Sequence, residues 1–154
     1  MASAEKDISQ GTLYTDQYQL TMAQLYYRQG MHNTLSRFEH FFRSYPTYDS
    51  HQAGYCINAG MGGFLNWLEE ACWQEAEIEA LREQTDRQGN RIFADDFLTW
   101  LKKHPIKDHI KIWAVPEGRV IHPHAPITVV EGPLPLVQLV ETPLLNHLNY
   151  PILV

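Results

Sequence analysis

The sequence is short of positive charge and of long apolar runs, and both shortages exclude classes of partner. Its 154 residues contain 12 Lys and Arg against 18 Asp and Glu, a formal net charge of −6. Because binding to a phosphate backbone usually requires a basic face, this balance argues against a nucleic-acid partner. No apolar run approaches the roughly 18 residues that a membrane helix needs, so no membrane contact is expected. The polar N-terminus MASAEKDISQ has no signal-peptide core, which predicts a cytoplasmic protein.

Cysteine is also scarce, and complete catalytic motifs are missing. Cys56 and Cys72 have neither metal-ligand nor redox-motif spacing, which predicts reduced, buried or semi-buried thiols. The glycine run GMGG at 60–63 lacks the Lys-Ser/Thr of a phosphate loop and is better explained as a tight strand-to-helix turn. His122 and His124 have no third ligand at a suitable spacing, which predicts exposed turn residues. The sequence therefore predicts no catalytic residue and no metal ligand in this chain.

The first half of the chain contains clear helix and strand signals. A helix is predicted to begin after Asp16, with Gln19 closing a capping box, and to end at Gly30. The alternating, aromatic-rich segment LSRFEHFFR at 35–43 predicts a strand. A polar loop with Pro and Gly follows it, and a short strand is predicted over 55–59. These signals are typical of an α+β domain.

The second half predicts helices followed by a bent β unit. Helices are expected in FLNWLEEACW, QEAEIEALREQ and ADDFLTWLKKHP, the last with Asp95 as its N-cap. In HIKIWAVPEGRVIHPHAPITVVEGP, short strands are expected between breaks at Pro-Glu-Gly, His-Pro-His-Ala-Pro and Glu-Gly-Pro. The last segment has apolar residues at helical spacing, and Pro143 in its interior predicts a kink.

Tyr18 stands out because it places an aromatic ring in the first turn of the predicted helix, between polar neighbours. One interpretation is a core tyrosine whose hydroxyl is satisfied inside the protein. The other is the wall of a binding site, because a helix N-terminus offers unpaired N–H groups and partial positive charge, which suit a flat, anionic ligand. Helix geometry leaves both interpretations open.

Taken in order, six segments resemble the N-terminal part of nicotinate phosphoribosyltransferases. They are LYTDQYQLTMAQLYY (13–27), SRFEHFFRSYP (36–46), YCINAGMGGFLNWL (55–68), FADDFLTWLKK (93–103), IWAVPEGRVIHPHAPITVVEGPL (112–134) and QLVETPLLNHLNY (138–150). Single pieces such as Val-Glu-Gly-Pro are weak signals. The collinear set is specific, and it covers nearly the whole chain after about residue 12.

The resemblance implies an α+β fold of the α/β-hammerhead type, as in the N-terminal domain of type II phosphoribosyltransferases, lacking the (β/α) barrel that normally follows. The expected boundaries are a disordered tail at 1–12, the hammerhead-like domain at 13–132, and a helix at 133–154 leading toward the missing barrel. The implied reaction belongs to pyridine nucleotide salvage in NAD biosynthesis. Nicotinate and phosphoribosyl pyrophosphate give nicotinate mononucleotide, with ATP hydrolysed. The family uses ATP and Mg²⁺, neither of which is expected to bind this chain alone.

Few site residues transfer from the family to this chain. Tyr18 is expected to stack on the pyridine ring, reaching into a neighbouring subunit's site. Asp16 is a weaker candidate, expected mainly to cap the helix and fix Tyr18. The family's phosphorylated histidine, carboxylate-binding arginine and phosphate-binding loops belong to the barrel, so the chain alone is expected to be inactive.

The expected partner is a second copy, in a homodimer, or a barrel-containing subunit. Two other interpretations stay open at this point. One is a stand-alone interaction module or truncated pseudoenzyme, and the other is an enzyme of the same class that uses nicotinamide as its base.

Overall fold

Helices and short strands alternate through residues 11–154, the part of the chain that the computed structural model describes. The helices are α1 (Gln17–Arg28), α2 (Met61–Glu70), α3 (Glu75–Arg82), α4 (Asp95–Lys103), α5 (Ile106–His109), α6 (Leu134–Leu139) and α7 (Glu141–Leu153). The strands are β1 (Leu35–His40), β2 (Thr47–Tyr48), β3 (His51–Gln52), β4 (Cys56–Ile57), β5 (Lys111–Ala114), β6 (Val120–Ile121) and β7 (Thr128–Pro133). This mixture confirms the α+β class.

The expected disordered tail at 1–12 lies almost wholly outside the described residues. Its last two residues are described. Thr12 is buried, and its backbone N–H donates to Glu77 Oε1 at 2.8 Å. The indole Nε1 of Trp67 donates to the Gly11 carbonyl at 3.1 Å. Residues 11 and 12 are therefore bonded to α2 and α3 at the point where the chain enters α1.

The main sheet has three antiparallel strands in the order β1-β7-β5, and β2-β3 and β4-β6 form separate two-stranded pairs. Val130 of the central strand pairs with Phe38 on one side and Ile112 on the other. The predicted break at Glu-Gly-Pro is wrong, because residues 131–133 continue β7 and pair with β1. A Cβ at Gly132 would lie 2.8 Å from the His109 carbonyl oxygen, so glycine serves a close backbone approach there.

Helix α1 ends as predicted but begins differently. At its end, Gly30 has φ +72°, the Gly30 N–H donates to the Tyr27 carbonyl at 3.0 Å, and the Met31 N–H donates to the Tyr26 carbonyl at 2.9 Å. This is a Schellman motif and confirms the C-terminal signal. At its start, Asp16 occupies the N-cap position, but its side chain makes no capping hydrogen bond, so the predicted capping box is wrong.

The apolar core takes side chains from the main sheet and from all seven helices. The apolar side chains with the least exposure include Phe64, Phe93, Phe97, Leu101, Leu136 and Leu148. Helix α4 begins at Asp95 with Ala94 as its N-cap, so the predicted cap was one residue late. Asp95 instead lies in the first turn and forms an ion pair with Arg82 across to α3, with Nε to Oδ1 at 2.8 Å.

The C-terminal segment is two helices rather than one kinked helix. The predicted apolar positions Leu136, Val140, Leu144 and Leu148 are buried, as their spacing indicated. The helix breaks at Val140, before Pro143, which lies in the first turn of α7. In a continuous helix the ring of Pro143 would clash with the carbonyl four residues earlier, and α6 ends at that residue, Leu139.

Gly60 forms the tight turn that the sequence predicted, and the rest of the glycine run, residues 61–63, already belongs to the first turn of α2. Gly60 has φ +97°, and a Cβ there would lie 2.1 Å from the carbonyl oxygen of His147 in α7. Pro151, four residues after His147, has no N–H to donate to that carbonyl. Gly60 thus lets α2 begin directly against the backbone of α7. Both cysteines are free; Cys56 is buried and Cys72 half-buried, as expected.

Candidate functional site

Tyr18 projects from the first turn of α1 and is 51% exposed. The core-tyrosine interpretation is therefore wrong for this chain. Its helical neighbour Leu20 turns the opposite way and is 3% exposed, within the core. Helix α1 thus directs one aromatic ring outward while its apolar face anchors the helix. A half-exposed ring on an anchored helix can offer its face to a planar ligand.

A buried polar cluster lies beneath Tyr18. Gln19 is fully buried at 0% exposure, and its side-chain Nε2 donates to the Tyr18 hydroxyl at 2.7 Å and to Glu141 Oε2 at 2.9 Å. Gln138 of α6 is 5% exposed; its Nε2 donates to Glu141 Oε2 at 3.1 Å and to Gln19 Oε1. We call Tyr18, Gln19, Gln138 and Glu141 the glutamine cluster. It joins the start of α1 to α6 and to the start of α7.

Asp16 lies beside the glutamine cluster but does not contact Tyr18 through a hydrogen bond. Its Oδ2 accepts from the Thr142 hydroxyl at 2.9 Å, and its backbone N–H donates to the same hydroxyl at 3.4 Å. The expectation that Asp16 fixes Tyr18 by capping the helix is therefore wrong. Asp16 ties the start of α1 to the first turn of α7, and Gln19 contacts the tyrosine hydroxyl instead.

The electrostatic surroundings of Tyr18 hold its hydroxyl in the protonated form. Partial burial is the largest cause that raises the pKa of Tyr18 above its usual value of 10.0. The negative charges of Glu141 and Asp16 raise the pKa further, while the hydrogen bond from Gln19 opposes them. A tyrosine with the usual pKa of 10.0 already keeps its hydrogen at neutral pH, and the raised pKa of Tyr18 extends that range upward.

A groove of about 330 Å³ lies between β1 and helices α6 and α7, with Glu141 in its lining. Phe38, Phe41, Leu144 and several valines give it mostly apolar walls, with Arg43 and His40 among its polar lining. His40 is 6% exposed; its Nε2 lies 3.0 Å from Asn149 Oδ1, and burial lowers the pKa of its ring. Glu141 thus belongs both to the lining of the groove and to the glutamine cluster.

The other residues that the sequence singled out do not join this site. His122 and His124 are exposed in the turn before β7, as predicted, and His122 Nδ1 lies 2.5 Å from the Tyr45 hydroxyl. Across residues 11–154, no group of three or more His, Cys, Asp or Glu side chains could hold a metal ion. The described residues offer no fit for Mg²⁺, and no part in its chemistry is assigned to them.

Sequence reasoning missed Gln138 and Glu141, and misassigned Gln19 to a cap. The three residues are separated by 119 and 122 positions along the chain, so no local pattern connects them. One signal was present: Gln138 is the single polar residue within the apolar run LPLVQLV. A polar side chain at such a position needs a partner, and Gln19 supplies it.

No helix within residues 11–154 combines the length and the apolar character that crossing a membrane requires.

Comparison with known proteins agrees with the order of the motifs. A family model described as the nicotinate phosphoribosyltransferase (NAPRTase) N-terminal domain matches residues 13–149. The chain is 37% identical over 139 residues to nicotinate phosphoribosyltransferase pncB2 of Mycobacterium tuberculosis, covering 90% of this chain and 27% of that protein. It is 32% identical over 143 residues to the Bacillus subtilis nicotinate phosphoribosyltransferase, covering 93% and 27%.

Comparison of the fold with solved structures points to the same family. The crystal structure of human nicotinic acid phosphoribosyltransferase matches with a TM-score of 0.76 at 31% identity, covering 90% of this chain and 26% of that chain. The chain spans about a quarter of the length of these relatives. With the family model over most of its length, and relatives from bacteria to human, the chain belongs to the nicotinate phosphoribosyltransferase family and corresponds to its N-terminal domain.

Proposed function

We propose that this chain supplies the aromatic wall of a nicotinate site, in the transfer of a phosphoribosyl group to nicotinate during NAD salvage. The observation that supports the proposal is Tyr18, half-exposed on the first turn of α1 and hydrogen-bonded to a buried side chain. Its matching position in the family motif Thr-Asp-x-Tyr-Gln-Leu-Thr-Met is the second support. The face of Tyr18 stacks on the pyridine ring.

The chemistry of the reaction explains why an aromatic wall would help. The pyridine nitrogen attacks the anomeric carbon of phosphoribosyl pyrophosphate as pyrophosphate leaves, so the ring gains positive charge. An electron-rich phenol face stabilises a cationic ring better than a neutral one. Holding the ring in the line of attack also lowers the entropic cost of the bimolecular step. The part of this chain in catalysis is therefore positioning and stabilisation of the base.

The remaining groups of the proposed site come from outside this chain. We infer a hammerhead-like arrangement over 13–132, with 133–154 leading toward a barrel domain. That barrel, in the same or a second subunit, supplies the phosphorylated histidine, the carboxylate-binding arginine and the contacts to ATP and Mg²⁺. The 154-residue chain by itself is inactive in this proposal, and it works as a homodimer or with a barrel-containing subunit.

Two assays test the proposal. The purified chain, given nicotinate, phosphoribosyl pyrophosphate, ATP and Mg²⁺, should release no pyrophosphate, and turnover would contradict the claim of inactivity. In a chimera with residues 13–149 placed in the Bacillus subtilis relative, Tyr18→Ala should raise KM for nicotinate roughly tenfold, because one stacking contact is lost. Leu25→Ala, at an exposed position of the same helix, is the matched control and should leave KM unchanged.

The melting temperature separates this outcome from a structural one. Because Tyr18 is half-exposed, Tyr18→Ala should lower the melting temperature of the 154-residue chain by only a few degrees. An unchanged KM for nicotinate in the chimera would contradict the proposed nicotinate contact, whatever the change in melting temperature.

A further inference from the structure

The glutamine cluster satisfies every hydrogen of its two amides. A glutamine amide carries two N–H hydrogens. Those of Gln19 go to the Tyr18 hydroxyl oxygen and to Glu141 Oε2. Those of Gln138 go to Gln19 Oε1 and to the same Glu141 oxygen. The cluster is a closed arrangement in which no amide hydrogen is left over.

The direction of each hydrogen bond follows from Glu141. A carboxylate oxygen only accepts, so both amide atoms that contact it must be nitrogens. With Gln138 Nε2 so assigned, the Gln19 atom that faces it must be the carbonyl oxygen. The remaining atom of Gln19, which contacts Tyr18, is then a nitrogen and can only donate. One carboxylate thus orients both amides.

The tyrosine hydroxyl is the outer end of this chain of hydrogen bonds. Because its oxygen accepts from Gln19, its own hydrogen must point away from Gln19. Among the described residues, no acceptor takes that hydrogen, and the ring is 51% exposed. The hydroxyl is therefore a donor directed away from the cluster, on a side chain whose position two buried amides hold.

Resting on the proposed nicotinate contact of Tyr18, we propose that Gln19, Gln138 and Glu141 are positioning residues: their hydrogen bonds hold the Tyr18 ring where its face can stack on the base. None of the three touches the ligand. Their effect passes through Tyr18.

Two substitutions should move the pKa of Tyr18 in opposite directions. Glu141→Gln removes a neighbouring negative charge and should lower the pKa of the phenol. Gln19→Met removes a donor that stabilises the phenolate and should raise the pKa. The charge of Asp16, the other carboxylate that acts on Tyr18, is the same in both variants. Gln17→Met is the matched control, because Gln17 precedes Tyr18 in α1 but bonds Gln84 at the surface, and it should leave the pKa unchanged.

The measurement uses the 154-residue chain labelled with ¹³Cζ-tyrosine and titrated through the phenol range. The Tyr18 resonance is the one that disappears in Tyr18→Phe. Opposite shifts in the two variants support the proposal, since a general loosening of the fold would move both the same way. Shifts of the same sign, no shift, or an equal shift in the control would overturn it. If Gln19→Met does not fold, an unchanged pKa in Glu141→Gln overturns it alone.

Sodium nicotinate added to the chimera with residues 13–149 in the Bacillus subtilis relative, labelled in the same way, distinguishes this inference from the proposed function, because the barrel groups of the proposed site are present there. If the pKa shifts occur as expected but nicotinate leaves the Tyr18 resonance of the chimera in place, the proposed nicotinate contact is overturned and the hydrogen-bond geometry stands. If nicotinate moves the resonance but the pKa values do not respond, the positioning role is overturned and the proposed contact stands.

Discussion

The apolar core around α4 and the glutamine cluster beneath Tyr18 are held together by different kinds of contact: apolar packing in the core and hydrogen bonds in the cluster. In the core, Phe97 and Leu101 are four residues apart in α4, on the same face of the helix, and are fully buried. Their apolar contacts have no donor, no acceptor and no required direction. In the cluster, Gln19 and Gln138 are almost as buried, yet each contact has a donor, an acceptor and a direction. Apolar burial supplies most of the free energy of folding, whereas the polar contacts fix one orientation of one ring.

The largest effect is expected in the core. Phe97→Ala should lower the free energy of unfolding by about 3–5 kcal/mol, because it removes a buried ring and leaves a cavity. Urea denaturation followed by circular dichroism measures the change. Lys103→Ala, on the exposed side of the same helix, should alter stability by less than about 0.5 kcal/mol. Similar losses in the two variants would mean that α4 does not bury the face described.

Gly60→Ala tests a backbone contact at the edge of the core. Alanine at this position would have to adopt φ +97°, and its Cβ would lie 2.1 Å from the His147 carbonyl oxygen. We therefore expect the free energy of unfolding to fall by about 3 kcal/mol. Gly62→Ala is the matched control, since a Cβ there meets no atom within 4 Å, and alanine favours helix. Thermal melts should show a large drop for the first and no drop for the second. Equal tolerance would refute the close approach of α2 to α7.

A middle-sized effect is expected in the glutamine cluster. Gln138→Met should cost about 1–3 kcal/mol, because the buried carbonyl of Gln19 loses its donor. Adding Gln19→Met should cost less than the sum of the two single losses, since the second change removes the unpaired acceptor. A double-mutant cycle from urea midpoints measures this coupling. Strict additivity would show that the two amides do not interact.

His40 should give a smaller effect that is confined to acidic pH. Burial lowers the pKa of its ring below 6.5, so the unfolded state binds more protons than the folded state in that range. Its contribution to stability is complete above about pH 6.5 and is lost as the pH falls toward the folded pKa. The difference in free energy of unfolding between the wild type and His40→Gln should therefore become smaller as the pH falls. A gap that is constant between pH 5 and 8 would contradict this.

The smallest effect is expected at Asp16. Its side chain makes no capping bond and pairs with Thr142 at the surface, so Asp16→Ala should cost less than about 0.5 kcal/mol. A true N-cap would cost about 1 kcal/mol or more. If thermal melts showed a stability loss of that larger size, Asp16 would be a true N-cap, and the different roles given to Asp16 and Gln19 would be contradicted.

Much of the fold could be predicted because its causes are local. The end of α1 at Gly30, the strand that begins at Leu35 (it ends at His40, not at Arg43 as predicted), and the turn at Gly60 each follow from the conformational preference of a few adjacent residues. The errors share a different cause. Glu-Gly-Pro suggests a turn, but β1 pairs with all three residues and β5 pairs with Glu131, which keeps the segment extended. Pro143 was correctly seen as a helix breaker, but its ring acts four residues earlier, at Leu139.

The sequence by itself determined the α+β class, the family to which the motifs belong and the position of Tyr18 in the first turn of a helix. Only the tertiary structure decided that Tyr18 points outward and that Gln19 turns inward to meet Gln138 and Glu141. The physical reason is distance along the chain. Backbone preferences act over a few residues, but a buried amide must find its partner wherever the fold places one, here more than a hundred residues away.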